Sequence, residues 1–251
     1  MDDLNFGGVD KSAVTEFEAQ ILLGNRFEKV KKAENSDDII LACLRVAWMD
    51  AFRHVTKNND ENIKKYFNTP EKLDAQIYEI LKSELVLGTF KNFANATSSD
   101  YKADIICKAM DKGLREKFQT VKMIDDEDRP LRFGHFQKLF NMAQKIYLCL
   151  YMLRDERWIS EDKMVKFAFE CADCPIDNRI LAKIDKNCAP GHKSELLSEY
   201  KYKKFDGIHW SKLDASEKDL YVFIQTVIGE IEEGKSKLYF DFKNWNPSEK
   251  Q

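Results

Sequence analysis

The chain has 251 residues, 43% of them hydrophobic and 12% aromatic. That suffices for one large domain or two small lobes sharing a core, and it excludes a wholly disordered chain. With 10 glycines and 5 prolines it lacks the turn residues of a β-sandwich or barrel, and its formal net charge of −3 offers nucleic acid no global attraction, so any DNA contact requires a local basic face.

The start, Met1-Asp2-Asp3-Leu4-Asn5-Phe6, has neither the basic nor the apolar segment of a secretory signal. Val14, Phe17, Ile21 and Leu22 fall on one face of a first helix. Ser36-Asp37-Asp38 offers a cap and an acidic first turn to a second, whose stripe runs Ile40, Leu44, Trp48, Phe52, Val55 and stops at Asn58-Asn59. Thr69-Pro70-Glu71 starts another helix, with proline at the first helical position and Leu73, Ile77 and Leu81 inward. Asn95 to Asp100 is a polar break, after which Ala103, Ile106, Met110 and Leu114 mark one further helix. The acidic run Asp125 to Arg129, closed by Pro130, reads as a linker and a candidate lobe boundary near 124–131.

Phe133 to Leu153 is the most informative helix. Phe136, Leu139, Phe140, Ala143, Ile146, Tyr147, Leu148 and Leu150 cover most of its circumference, the mark of a helix at the centre of a fold. Lys138, Asn141 and Lys145 nevertheless form one narrow polar stripe, with Gln137 and Gln144 beside it. Either the stripe is solvated, as on an ordinary amphipathic helix, or it lines a site, since buried lysines demand partners.

Ser160 caps a helix with Met164, Phe167 and Ala168, and Cys174-Pro175-Ile176-Asp177 opens the next, with Ile180, Leu181 and Ile184 inward. A basic, tyrosine-bearing stretch, Lys193 to Lys204, leads to His209-Trp210-Ser211-Lys212, with the Trp210 ring expected in the core. A long helix carries Leu220, Ile224, Val227 and Ile231 to Gly234. Leu238-Tyr239-Phe240-Asp241-Phe242 alternates like a short strand.

Three groups of residues offer chemistry. The spacings of Cys171, Cys174, Cys188 and His192 resemble a zinc site, but cysteine is often only a small buried apolar group. Lys183, Lys186, His192, Lys193, Lys201, Tyr202, Lys203 and Lys204 mix basic and aromatic groups, as a phosphate-tracking surface or simply a solvated face does. Lys138 with Asp177 supplies an amine and a carboxylate. Asp177 at a helix start can serve the helix dipole or a reaction. Phosphate-binding loops, dinucleotide fingerprints and metalloprotease or nucleophile-elbow motifs are missing from the sequence.

Phe133-Gly134-His135-Phe136-Gln137-Lys138 resembles the hairpin leading into the lysine-bearing helix of helix–hairpin–helix DNA glycosylases, the 8-oxoguanine and archaeal branches above all. Cys174-Pro175-Ile176-Asp177-Asn178-Arg179 resembles the Pro-x-Asp that opens their aspartate-bearing helix. The resemblance implies Asp177 as catalytic carboxylate, Lys138 as a Schiff-base amine and Gly134 as a turn whose N–H groups meet a DNA phosphate. It makes His135, Asn141, Lys145 and Arg179 candidate DNA contacts, with duplex DNA bearing a flipped base as partner. No cofactor or metal is expected.

The expectation is therefore an all-α, compact multi-helix globule with a short C-terminal extended arm, in one arrangement two helical lobes around a cleft. Six scattered cysteines and no apolar run near the ~20 residues of a membrane span suggest free thiols in the cytoplasm. A DNA glycosylase-like activity is expected, or else a non-catalytic helical protein, such as a phage or bacterial accessory factor, that docks a protein or small ligand.

Overall fold

A computed structural model of the chain describes residues 36–52, 70–119, 130–153, 170–188 and 197–244. Among them, regular structure is entirely helical. The predicted helix near Val14, Val55 and the Asn58-Asn59 stop, Thr69, the 124–131 boundary (save Pro130 and Leu131), the Ser160 helix and His192-Lys193 lie outside the described residues.

Helix α1 spans Ser36–Ala51, with Asp37 and Asp38 in its first turn, where negative charge favours the helix dipole. Its predicted stripe Ile40, Leu44, Trp48 and Phe52 is buried. Helix α2 is Pro70–Leu81, α3 Glu84–Ala94 and α4 Ser99–Asp111. The polar break between α3 and α4 ends on Ser98, whose hydroxyl accepts from the Tyr101 N–H at 3.2 Å.

Leu114 does not continue α4. The chain turns at Gly113, φ +90°, and Leu114–Gln119 forms a separate helix, α5. A positive φ is the conformation glycine adopts without a Cβ penalty. The apolar spacing runs on through the break, and Leu114 is buried.

Helix α6, Phe133–Leu153, is the axis of the fold, and α1 packs along it more extensively than any other pair of described helices. Residues 172–176 form a buried, non-helical approach to α7, Asn178–Asn187. Pro175 thus precedes the helix, and Asp177 is its N-cap. Short 3₁₀ turns at Phe205–Gly207, Trp210–Lys212 and Ala215–Glu217 lead into α8, Lys218–Ile231. Trp210 is buried. After Gly234, at φ +84°, the chain enters α9, Lys237–Asn244.

That last helix replaces the expected extended arm. Leu238, Phe240 and Phe242 are buried as alternation requires, but so is Asp241. Its carboxylate pairs with the buried Lys145 of α6, so the inward face combines 238, 241 and 242, a helical spacing.

Among the described residues, no helix is long and apolar enough to cross a membrane.

Candidate active site

The polar stripe of α6 is buried, not solvated. Lys138, Asn141 and Lys145 are all nearly inaccessible, as are Gln137 and Gln144. Each finds partners on a different element, which answers the cost of burying polar groups in a helix at the centre of a core.

Lys138 lies where α1, α6, α7 and the Trp210 turn converge. Its Nζ is 3.0 Å from Asp50 Oδ2 and 3.4 Å from Asp177 Oδ2. It also lies over the Trp210 ring, 4.8 Å from the centroid, where the ring face attracts a cation. The lysine side chain is only 5% exposed, whereas Asp177 and Asp50 are 28% and 38% exposed. The carboxylates therefore form the accessible side of the cluster.

Asp177 is oriented by its own helix. Oδ1 accepts the Arg179 and Ile180 N–H groups at 3.0 and 3.1 Å, leaving Oδ2 toward Lys138.

Two glutamines hold the chain leading to it. The Gln137 amide donates to the Ile176 carbonyl at 3.0 Å and accepts the Ile176 N–H at 3.3 Å. Gln225 of α8 repeats this with Cys174, donating at 2.7 Å and accepting at 3.0 Å. These side chains supply the backbone partners that a buried segment outside helix and sheet would otherwise lack.

Asn141 donates to Tyr221 Oη and to Gln137 Oε1, at 3.0 and 3.3 Å, while its Oδ1 has no partner among the described residues. Tyr221 in turn donates to Asp173 Oδ2 at 2.7 Å. Lys145 lies 2.6 Å from Asp241 Oδ2 and over the Phe242 ring. Burial raises the Asp241 carboxyl above its ordinary value, against the opposing charge of Lys145. Burial likewise pushes the Tyr221 hydroxyl well up, with the Asp173 charge adding to it.

Asp173 anchors a second buried cluster. Lys237 Nζ lies 2.8 Å from Oδ1, and the Ser99 hydroxyl donates to the same oxygen at 2.7 Å. Burial alone would raise this carboxyl; the charges of Lys102 and Lys237 and the hydrogen bonds from Lys237 and Tyr221 outweigh it and hold it low. Lys102 donates to the Cys171 carbonyl at 2.6 Å and to Gln144 Oε1 at 3.2 Å. Burial lowers its pKa to about 8.

The structure thus brings Lys138 and Asp177 together across 39 positions of sequence. It does not leave Gly134 facing a ligand. Gly134 lies in the first turn of α6, not in a hairpin, and its N–H donates to the Leu213 carbonyl at 3.0 Å. An added Cβ would stand 1.8 Å from the Trp210 carbonyl oxygen, so the glycine serves close packing and its N–H is not offered to a phosphate. His135 is buried too, accepting the Arg132 N–H on Nδ1 at 3.1 Å between the Phe52 and Trp210 rings. Arg179 is exposed.

Of the candidate zinc ligands, Cys174 and Cys188 are buried, and burial raises the Cys174 thiol well above its ordinary value. Among the described residues, no three His, Cys, Asp or Glu side chains are grouped to hold a metal.

Sequence reasoning missed Asp50, Asp173, Tyr221 and Gln225. Asp173, an acidic residue beside the apolar Cys174-Pro175-Ile176 run, carried a visible signal; Asp50, near the end of an amphipathic helix, carried none. No protein-family model, curated protein or solved structure matches the chain.

Proposed function

We propose that the protein is a DNA glycosylase-like enzyme that excises a modified or damaged base, with Asp177 as the catalytic carboxylate. The observation that carries this reading is the contact of Asp177 Oδ2 with the nearly buried Lys138 amine, 3.4 Å apart on the accessible side of a polar cluster. Glycosidic cleavage builds positive charge on the sugar, which a fixed carboxylate stabilises. Asp177 then accepts a proton from the water that adds at C1′ as the C1′–N bond breaks. In a lyase course, Lys138 first gives up its proton and then adds at C1′, and the base leaves with the electron pair of the C1′–N bond. Asp50 and Asp177, at 3.0 and 3.4 Å, are both placed to take that proton.

The test is fluorescence anisotropy with a duplex carrying a tetrahydrofuran abasic analogue, compared with the unmodified duplex, followed by a screen of damaged-base duplexes. Preference for the abasic duplex, weakened in Lys138→Ala, is expected. Excision should fall by at least about a hundredfold in Asp177→Asn, a variant that preserves the N-cap. Equal binding of the two duplexes by the wild type, or full excision by Asp177→Asn, would remove the reading.

A second reading is favoured by a specific observation: Asn141 and Lys145 of the stripe, with Gly134 and His135 at the start of the same helix, are held by internal contacts. A non-catalytic helical protein that docks a protein or small ligand would use the stripe in this way. It predicts that Asp177→Asn changes stability and no activity.

A further inference from the structure

We infer that the outer face of α7, together with the turns that follow it, is a basic ledge that holds the phosphate backbone of duplex DNA. This partner surface rests on the reading of the Lys138–Asp177 cluster as a DNA-acting site.

The ledge begins with the spacing of α7. Ile180, Leu181 and Ile184 are buried, while Arg179, Lys183 and Lys186 recur at the i, i+4, i+7 positions of the opposite face. Asp185, on the flank of α7, ties the helix to a second segment. Its carboxylate accepts the Phe205 and Asp206 N–H groups at 3.2 and 2.8 Å. The turn carrying Lys203 and Lys204 is thereby fixed beside the C-terminal half of α7.

Charge is one-sided here. Residues 178–187 and 197–212 hold seven Lys and Arg against three Asp and Glu, in a chain whose net charge is −3. One of those three acids, Asp185, is occupied by the turn it holds. Elsewhere lysines face carboxylates, as in Lys91–Asp37, Lys218–Asp104 and Lys243–Glu232. Arg179, Lys186, Lys203, Lys204 and Lys212 are exposed, and none makes an ion pair among the described residues.

The ledge also meets the candidate site at two points. Arg179 lies two residues beyond Asp177, and Lys212 lies two residues beyond Trp210, the ring under the Lys138 amine. A helix of ten residues is about 15 Å long, a span of several phosphates along one strand. A strand lying on α7 would therefore pass the carboxylate at the helix start. Lysines and arginines at such spacing bind backbone phosphates without reading sequence, by releasing condensed counterions.

The test uses a labelled, undamaged duplex across a potassium chloride series, with the full chain as wild type, as Lys186→Gln/Lys203→Gln/Lys204→Gln and as Asp177→Asn. A control variant, Lys82→Gln/Lys108→Gln/Lys112→Gln, removes the same charge from exposed lysines outside the ledge. The ledge triple is expected to lower the slope of log affinity against log salt by roughly two to three, with the control and Asp177→Asn slopes unchanged. That result upholds the ledge whether or not excision is detected. An unchanged slope in the ledge triple, an equal fall in the control, or wild-type binding to anionic vesicles but not to duplex would overturn it, even if Asp177-dependent excision stands.

Discussion

Gly134 marks the closest approach of α6 to the Trp210–Lys212 turn. Two Trp210 backbone atoms, the carbonyl oxygen and carbon, would lie 1.8 and 2.9 Å from a new Cβ. Backbone on both sides has no rotamer to yield, so Gly134→Ala should destabilise by on the order of 3 kcal/mol, read from urea unfolding. A loss below about 0.5 kcal/mol, the range of ordinary surface changes, would mean that the turn moves away freely. The folded pKa of Lys102, lowered by burial to about 8, lies below the ordinary lysine value of 10.5. Below the folded value both states hold the proton and the burial cost is fully present. Between the two values the unfolded chain holds more protons, so stability rises with pH, by about 1.4 kcal/mol per unit at most. Compared with Lys102→Met, the wild type should gain stability from pH 8 upward and run parallel below it. Parallel curves across the whole range would show that Lys102 does not titrate in that window.

At the scale of elements, α7 separates two roles of one carboxylate. Asp177→Ala loses the hydrogen bonds from Arg179 and Ile180 and should cost about 1 kcal/mol. Asp177→Asn keeps the cap and should cost a few tenths, so a large loss of function in the Asn variant alone cannot be ascribed to unfolding. Melts of both variants check this; equal destabilisation would place the effect in the Lys138 ion pair, not in the cap. The elements also show what the sequence makes legible. The bounds of α6 could be read because apolar residues cover most of its circumference along its length, and no tertiary partner is needed to see that. Alternation over Leu238–Phe242 misled, because five residues barely distinguish a period of two from one near four. The deciding fact, Asp241 turned inward to Lys145, lies 96 positions away. Leu114 belongs to α5 and not to α4, although the apolar spacing runs on through the Gly113 turn. The Lys138–Asp177 contact could be anticipated through motif resemblance, whereas Asp50 and Tyr221 join the polar clusters only through packing, which local pattern does not encode.

Across the whole molecule, buried polar side chains hold the helices in register where the core alone would tolerate sliding. Asp173 joins three of them: Ser99 on α4, Tyr221 on α8 and Lys237 on α9 all contact its carboxylate, with Lys102 of α4 coupled to it by charge. Tyr221 carries the chain of bonds on to Asn141 and Gln137 of α6, and Gln137 clasps Ile176 beside Asp177. Replacing Asp173 by Ala leaves two lysines facing one another around a site that is 0% exposed, an uncompensated buried charge that should cost roughly 3–5 kcal/mol. Tyr221→Phe removes one donor and one acceptor but no charge, and should cost about 1–2 kcal/mol. If Asp173 is a hub and not merely a local partner, adding Lys237→Met to Asp173→Ala should recover part of the loss, since one of the stranded cations is gone. Denaturant unfolding of the two single variants and the double closes the cycle. Strict additivity would show that Lys237 and Asp173 stabilise their helices separately. Recovery, together with a weakened Lys138 dependence of DNA binding in the Asp173 variant, would show that the buried network also sets the position of the Asp177 carboxylate.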